Sequence, residues 1–176
     1  GNGKDRRLSS HREPIGLIAA MTPVNHPVNQ IIGKLAPAIA AGAPIIIKPS
    51  EKTPLSALAL ADLAYESGLP AHMLSVITGD PAMIAGIFMT HPAIQLLSFT
   101  GSSIVGKDLF LRSHYRRLVL ELGGNDPLIV FSDADIDRAA SLAASGAYAN
   151  SGQRCTAVKR ILVAESCADR FVQRLA

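Results

Sequence analysis

The chain has 176 residues, a length typical of one domain, and its hydrophobic fraction of 48% is high enough to form a substantial core. Only 18% of the residues are charged, and the net charge of +3 comes from scattered cations, which argues against a disordered chain and a nucleic-acid-binding surface. Two cysteines are too few for a disulfide framework or a zinc site, and they favour a reducing, cytoplasmic location.

No apolar run reaches the roughly 18 residues that span a membrane. The polar N-terminal segment, residues 1–14, lacks the apolar region of a signal peptide. The chain begins without Met and stops within a predicted helix. We therefore expect an internal segment of a longer protein, and we expect neither a membrane nor a nucleic acid as partner.

Short apolar strands alternate with helices as far as Gly124. Continuous apolar strands separated by helices predict an α/β fold, a Rossmann-like parallel sheet with helices on both faces. Thr53 is predicted to cap the second helix, and Pro37 to kink the first. The predicted strands span residues 15–22, 43–50, 73–79, 94–101 and 116–124, and the predicted helices span 28–41, 54–68, 81–89 and 102–112.

The pattern changes after Gly124. A strand from Pro127 is followed by an alanine-rich helix over 135–150, capped by Asp133 or Asp135, and then by a strand from Lys159. No linker separates the two parts. We place a boundary at this point, so that residues 1–123 form the Rossmann-like domain and residues 124–176 begin a second α/β domain.

The stretch FTGSSIVGKD, Phe99–Asp108, differs by one residue from a phosphate-binding P-loop. That pattern requires Ser or Thr after the Lys, because the hydroxyl binds Mg²⁺, and here Asp108 follows Lys107. Three interpretations of this stretch therefore stay open: it binds a nucleoside triphosphate, it binds another phosphate, or it binds no phosphate.

Polar residues follow the predicted strands, at the edge where open parallel sheets bind ligands. Asn25 can donate to an oxyanion or serve as a turn residue, and His26 can bind an anion or cap a helix. Lys48 and Glu51 can hold ribose hydroxyls or form a solvated surface pair. The other histidines are interpreted as loop residues, and the absence of HxxxH and CxxC motifs predicts no metal site.

Two residues have the chemistry of catalysis. Cys155 lies in a polar turn beside Arg154, a cation that favours a thiolate, although most free cysteines are small buried residues. Glu121 ends an apolar strand before two glycines, which favours a half-buried general base over a capping or salt-bridged glutamate. Cys167, at a predicted helix start, is interpreted as structural.

Several segments occur together in one order: TPVNHP, KPSEKTPLSAL, ESGLP, VITGD, SFTGSSIVGK, LELGGNDPLIV, DADIDRA and NSGQRCT. In this order the chain resembles the aldehyde dehydrogenase superfamily from about Pro14 onward, and ELGG with GQxC is the most specific pair. The variants NHP and SGQRCTAVKR resemble the branch that contains phosphonoacetaldehyde and lactaldehyde dehydrogenases.

The resemblance implies oxidation of an aldehyde to a carboxylic acid with NAD(P)⁺. Cys155 would attack the aldehyde to give a thiohemiacetal and then a thioester, while Asn25 and the Cys155 N–H hold the oxyanion. Glu121 would activate the hydrolytic water. A CoA-acylating dehydrogenase, which needs no water-activating base, and a non-catalytic fragment of the same fold are the alternatives.

The resemblance also implies that residues 1–123 bind the dinucleotide and that its pyrophosphate lies on the FTGS loop, so that Asp108 is no defect. The Glu51 carboxylate would favour NAD, because it would repel the 2′-phosphate of NADP. NADP is the alternative cofactor. His26 and Arg154 would meet an anionic aldehyde, unless Arg154 pairs with a structural carboxylate. The longer protein would form a homo-oligomer. The residues assigned to the cofactor are Lys48, Ser50, Glu51, Gly101, Ser102, Gly106 and Leu122.

Overall fold

The computed structural model describes residues 7–176. Residues 1–6, which contain part of the polar N-terminal segment, lie outside the described residues. Strands and helices alternate along the chain, with short 3₁₀ helices at Ala71–Met73 and Ala149–Gly152. The elements are β1 (Leu17–Met21), α1 (Pro27–Ala40), β2 (Ile45–Lys48), α2 (Leu55–Glu66), β3 (Leu74–Val76), α3 (Pro81–Thr90), β4 (Ile94–Thr100), α4 (Ser103–Leu111), β5 (Arg117–Glu121), β6 (Asp126–Val130), α5 (Ile136–Tyr148), β7 (Val158–Val163) and α6 (Glu165–Leu175).

The first five strands form one sheet in the order β3-β2-β1-β4-β5. Strand β1 pairs in parallel with β2 and with β4, and β2 pairs in parallel with β3. The central strand β1 is buried along most of its length, with Ala19 and Ala20 fully inaccessible, as its continuous apolar sequence predicts for a sheet covered by helices. The predicted α/β fold with a parallel sheet is confirmed.

Local capping explains several helix boundaries. Gly68, with φ of +93°, follows the end of α2, and the Asp135 carboxylate accepts a hydrogen bond of 3.1 Å from the Arg138 N–H at the start of α5. Helix α1 continues through Pro37. The predicted Thr53 cap is wrong, because the Thr53 N–H closes a turn onto the Ser50 carbonyl and Pro54 takes the capping position instead.

The chain divides into two compact units. The first comprises the described residues up to Phe99 together with Arg112–Val119, and its core contains the inward side chains of β1, β2, α1 and α2. The second comprises Thr100–Leu111 and Leu120–Ala176, and its core gathers Val130 and Phe171 with residues of α5. The predicted domain boundary between residues 123 and 124 stays a prediction for the longer protein.

Within the second unit, β6 and β7 form a separate parallel pair. Helix α5 connects them, so this part of the chain is itself a β-α-β unit followed by α6. Among residues 7–176, no helix combines the length and the apolar character needed to cross a membrane. The same residues contain no group of three or more His, Cys, Asp or Glu placed to hold a metal ion.

Candidate active site

The first unit carries Asn25 and His26 in the loop that connects β1 to α1. Both side chains are partly buried. His26 occupies the capping position of α1, directly before Pro27, but its imidazole makes no capping hydrogen bond. The capping interpretation of His26 therefore has no support, and both residues stay predictions as oxyanion and substrate ligands.

The carboxyl end of β2 carries the proposed ribose ligands. Lys48 is only 5% exposed, yet its Nζ atom reaches the Glu51 carboxylate at 3.2 Å, because the buried aliphatic stem delivers the ammonium group to the strand end. A hydrogen bond from backbone N–H and then the bond from Lys48 lower the pKa of the Glu51 carboxyl below its ordinary value of 4.5. The Ser50 hydroxyl accepts a bond of 3.3 Å from the Lys52 N–H. Lys48, Ser50 and Glu51 are thus brought together.

This donor set fits a ribose. A ribose diol presents two hydroxyls that both donate and accept, and the exposed Glu51 carboxylate beside a cationic donor matches that pattern. A negatively charged 2′-phosphate at the same place would meet the carboxylate directly.

The second unit carries Thr100, Gly101 and Ser102 of the FTGS loop, at the start of α4. The Gly101 N–H donates to the Glu121 carbonyl at 3.0 Å, and the Ser102 hydroxyl accepts from the Val105 N–H at 3.3 Å. A methyl group added to the buried Gly106 would lie 2.8 Å from Leu122 Cδ1, with Leu122 Cδ2 still closer. The loop, Gly106 and Leu122 are therefore packed together, and only glycine fits at residue 106 without displacing Leu122.

Glu121 ends β5 and is exposed, so the prediction of a half-buried carboxylate is wrong for this chain. The Glu121 side chain lies on the same face of β5 as Arg117 and Val119, which are also exposed, whereas Leu118 and Leu120 on the other face are partly buried. The following glycines are engaged by the protein itself. The Gly123 N–H donates to Ser103 Oγ at 3.2 Å, and a methyl group on Gly124 would lie 2.5 Å from the Cys155 carbonyl oxygen.

Cys155 is exposed in a four-residue turn. The Ala157 N–H donates to the Arg154 carbonyl at 3.2 Å, which puts Cys155 at the second position of the turn Arg154–Ala157. The preceding residues Asn150, Ser151 and Gly152 all have positive φ, between 55° and 69°. For a residue such as Ser151 this conformation costs about 1–2 kcal/mol, and such outliers cluster at functional sites.

Arg154 points back into its own unit. Its Nη2 atom donates to the Gly146 carbonyl of α5 at 2.9 Å, and its Nε atom is buried without a hydrogen-bond partner. The acceptor is a main-chain carbonyl and not the structural carboxylate considered as an alternative. The predicted role of Arg154 in binding an anionic substrate stays a prediction.

Sequence reasoning missed two cations at the start of β7. Lys159 Nζ donates to the Arg154 carbonyl at 3.2 Å and lies 3.5 Å from the Ala157 carbonyl, and the Arg160 guanidinium makes two bonds, of 2.9 and 3.1 Å, to the Asn125 carbonyl. Both were interpreted as part of a strand, because no sequence pattern marks a cation that binds carbonyl groups. Cys167, by contrast, lies partly buried at the start of α6 with its thiol against the Ala164 carbonyl.

The arrangement groups the predicted residues by unit. Asn25, His26, Lys48, Ser50 and Glu51 belong to the first unit. The second unit brings Thr100–Ser102, Leu122, the end of β5 and the Cys155 turn together through backbone hydrogen bonds and close packing. An exposed thiol in a hydrogen-bonded turn that follows a segment of positive φ can act as a nucleophile.

Comparison with known proteins identifies the family. The sequence profile of the aldehyde dehydrogenase family matches residues 2–176. The chain is 45% identical over 171 residues to succinate semialdehyde dehydrogenase of Acinetobacter baylyi, covering 96% of this chain and 35% of that protein. It is 41% identical over 177 residues to an Escherichia coli succinate-semialdehyde dehydrogenase whose name specifies NADP(+), covering 99% of this chain and 37% of that protein.

A solved structure agrees with these matches. The crystal structure of succinate-semialdehyde dehydrogenase from Burkholderia pseudomallei superimposes with a TM-score of 0.90 at 48% identity, covering 93% of this chain and 34% of that one. The chain thus spans about a third of the length of the relatives that it matches. A profile match over residues 2–176 and this degree of identity establish that the chain belongs to the aldehyde dehydrogenase family.

Proposed function

We propose that this chain is a segment of a longer enzyme that oxidises an aldehyde to a carboxylic acid with NAD(P)⁺, using Cys155 as the nucleophile. The observation that carries the proposal is the exposed Cys155 in a turn preceded by three residues of positive φ, with its carbonyl packed against Gly124 of the ELGG stretch. Cys155, the more exposed of the two cysteines, is thus close in space to the segment that follows Glu121, which supports the proposal.

The proposed chemistry assigns one task to each side chain. The Cys155 thiolate forms a bond to the aldehyde carbon, and the carbonyl oxygen becomes an oxyanion. The Cys155 N–H donates to that oxyanion, and family resemblance assigns the Asn25 amide of the first unit the same task. NAD(P)⁺, when bound, would supply the hydride acceptor; the carbon of the Cys155 thiohemiacetal would lose a hydride as its oxyanion returns to a carbonyl, which gives a thioester on Cys155. Glu121 then takes a proton from water, whose oxygen attacks the thioester and releases the acid and the thiolate.

The exposure of Glu121 is compatible with this task. A general base must reach water, and a solvent-accessible carboxylate at a strand end meets that condition in this chain. A CoA-acylating dehydrogenase would use Cys155 but would transfer the acyl group to the CoA thiol, with no need for a base at residue 121. Glu121 therefore favours hydrolysis over acyl transfer to CoA.

The proposed cofactor is NAD, with NADP as the alternative. The Lys48–Glu51 pair fits an unphosphorylated ribose, and Gly101 and Ser102 directly precede α4, whose N-terminus favours an anionic pyrophosphate. The Escherichia coli relative is named for NADP(+), so membership of the family does not decide between the two. The carboxylate at residue 51 is the feature that favours NAD.

The proposed substrate is a small anionic aldehyde. The succinate semialdehyde named for two relatives carries a carboxylate, which agrees with the interpretation of Arg154 and His26 as anion ligands. Replacing Arg154 with Ala should then raise KM more for an anionic aldehyde than for a neutral one. Equal effects would assign Arg154 only the structural bond to Gly146. The phosphonoacetaldehyde branch, a homo-oligomeric state and a cytoplasmic location stay predictions for the longer protein.

The test is NADH formation by the complete enzyme. NAD would be supplied with succinate semialdehyde, acetaldehyde, lactaldehyde and phosphonoacetaldehyde, and the Cys155→Ala variant would be measured in parallel. Cys167→Ala serves as the matched control, because its partly buried thiol should be dispensable. NADH that is lost only in the Cys155 variant supports the proposal. No NADH with any aldehyde, despite NAD binding, would refute it, and added CoA would then separate the acylating reading from a non-catalytic one.

A further inference from the structure

We infer that Lys159 is a positioning residue for the Cys155 nucleophile. The inference rests on the proposed function of Cys155, and it concerns a side chain that lies four residues beyond the nucleophile at the start of β7. Lys159 is exposed, but its ammonium group is directed at the main chain of the nucleophile turn and not only at solvent.

The contacts define a clamp across the turn. Lys159 Nζ donates to the Arg154 carbonyl at 3.2 Å and lies 3.5 Å from the Ala157 carbonyl, and these two carbonyls belong to the first and last residues of the turn that contains Cys155. The Arg154 carbonyl also accepts the Ala157 N–H at 3.2 Å. One oxygen atom therefore receives both the bond that closes the turn and the charge-assisted bond from Lys159.

The segment that leads into the turn also needs support. Asn150 and Ser151, which lie before Gly152 and Gln153, hold positive φ, a conformation that is uncommon for residues other than glycine. Arg154 fixes the side of the turn nearest α5 through the Gly146 carbonyl, and Gly124 packs against the Cys155 carbonyl. Lys159 adds a constraint from β7, on the two carbonyls that flank Cys155. The turn is therefore held by three contacts: from α5 through Arg154, from Gly124, and from β7 through Lys159.

The chemical consequence concerns the position of the sulfur atom. Nucleophilic attack requires the thiolate close to the aldehyde carbon in one orientation, and a displacement of about 1 Å can lower the rate by up to about 100-fold. A clamp on the carbonyls at both ends of the turn limits such displacement without touching the substrate. Loss of Lys159 should therefore lower kcat and leave the KM for the aldehyde and the affinity for NAD nearly unchanged.

The experiment uses Lys159→Met and Lys159→Arg in the complete enzyme. Met removes the donors and keeps the length of the side chain, whereas Arg restores donors to the same carbonyls. Arg138→Met, which removes an exposed cation from α5 in the same unit, is the matched control for loss of charge. For each protein we would measure kcat, KM, NAD affinity and hydrogen exchange of the peptide that contains Ala157.

The inference predicts that Lys159→Met exchanges the Ala157 amide about tenfold faster and has a kcat about tenfold lower, with KM and NAD affinity within about twofold. Lys159→Arg should restore most of both, and Arg138→Met should change neither. If Lys159→Met does not yield folded protein, Lys159→Gln replaces it in the same measurements. Gln has a shorter side chain that still carries a hydrogen-bond donor, so we expect intermediate changes in kcat and in amide exchange.

Either of two results would overturn the inference: unchanged exchange of the Ala157 amide in the Met variant, or faster exchange with an unchanged kcat. If the unmodified enzyme forms no NADH from any aldehyde, the proposed function fails. The role of Lys159 is then tested by hydrogen exchange and by the rate at which iodoacetamide alkylates Cys155 relative to Cys167. Neither measurement requires substrate or cofactor. A ratio of alkylation rates that Lys159→Met does not change would overturn the inference in that case.

Discussion

Adding one methyl group at residue 124 should move the nucleophile. In Gly124→Ala the new methyl carbon would lie 2.5 Å from the Cys155 carbonyl oxygen and 2.6 Å from Asp126 Oδ1. The first of these distances is about 0.9 Å short of the 3.4 Å at which ordinary van der Waals contact begins. The Asp126 side chain can rotate away, but the Cys155 carbonyl is main chain, so relief requires a shift of one backbone segment against the other.

The size of the expected effect follows from this overlap. Overpacking of this kind costs about 1–3 kcal/mol of stability, which the complete enzyme should tolerate. A shift of several tenths of an ångström or more in the Cys155 backbone should lower kcat by about ten- to a hundredfold, since catalysis is sensitive to the position of the attacking atom. The backbone conformation of residue 124 does not itself exclude alanine, because its φ lies outside the left-handed range. The effect should therefore be steric.

The assay is NADH formation at saturating aldehyde and NAD, together with the thermal midpoint of each variant. Gly123→Ala is the matched control in the adjacent residue, because its methyl group would lie 3.3 Å from Ser103 Oγ, a side chain that can move. We expect the control to keep kcat within about threefold of the unmodified enzyme. A Gly124→Ala enzyme with unchanged kcat and thermal midpoint would refute the argument that this glycine sets the position of the Cys155 turn.

Three further predictions follow from contacts in the two units. Gly106→Ala should destabilise the protein by about 1–3 kcal/mol through overlap with Leu122, and Leu122→Ala in the same molecule should recover part of that loss, whereas additive thermal shifts would contradict the overlap. Lys48→Met should raise the pKa of the Glu51 carboxyl without restoring it fully to 4.5, because the larger cause of its lowering is a backbone hydrogen bond; an NMR titration measures this. Because that pKa is lowered on folding, the pair stabilises the fold above about pH 4.5 and the contribution is lost as the pH falls further. Asp135→Ala should cost about 1 kcal/mol by removing the cap of α5, visible as a lower thermal midpoint, and Asp135→Asn should retain most of the stability.

The sequence was a good guide to the sheet and a poorer guide to strand ends. Apolar runs identified β1 to β4 because each strand is buried in a parallel sheet, where hydrophobicity is continuous. The fifth predicted strand, at 116–124, is longer than β5, which ends at Glu121. Leu122 and the two glycines leave the sheet because they pack against Gly106, Ser103 and the Cys155 turn, contacts between distant residues that no local pattern reveals.

The reactive residues of the site were predicted from the sequence, but the residues that hold them in position were not. Cys155 and Glu121 were singled out because few residue types can act as a nucleophile or a base, so composition narrows the choice. The burial predicted for Glu121 was wrong because the sequence of one strand does not say which of its two faces is covered. Lys159 was missed for a related reason: its partners are carbonyl oxygens, which every residue possesses and which therefore leave no trace in the sequence.

The stretch Leu122–Gly124 connects the two chemical parts of the second unit. Its first residue packs against Gly106 of α4, its second donates to Ser103 at the start of the same helix, and its third lies against the Cys155 carbonyl. The loop proposed to bind the pyrophosphate and the turn that presents the nucleophile are thus positioned by three consecutive residues. The same stretch begins directly after Glu121, the proposed base. A side chain at residue 124 would overlap the Cys155 carbonyl, whereas one at residue 123 would require only a small movement of the Ser103 side chain. Packing within the protein therefore explains the requirement for glycine at residue 124 without any contact with a ligand.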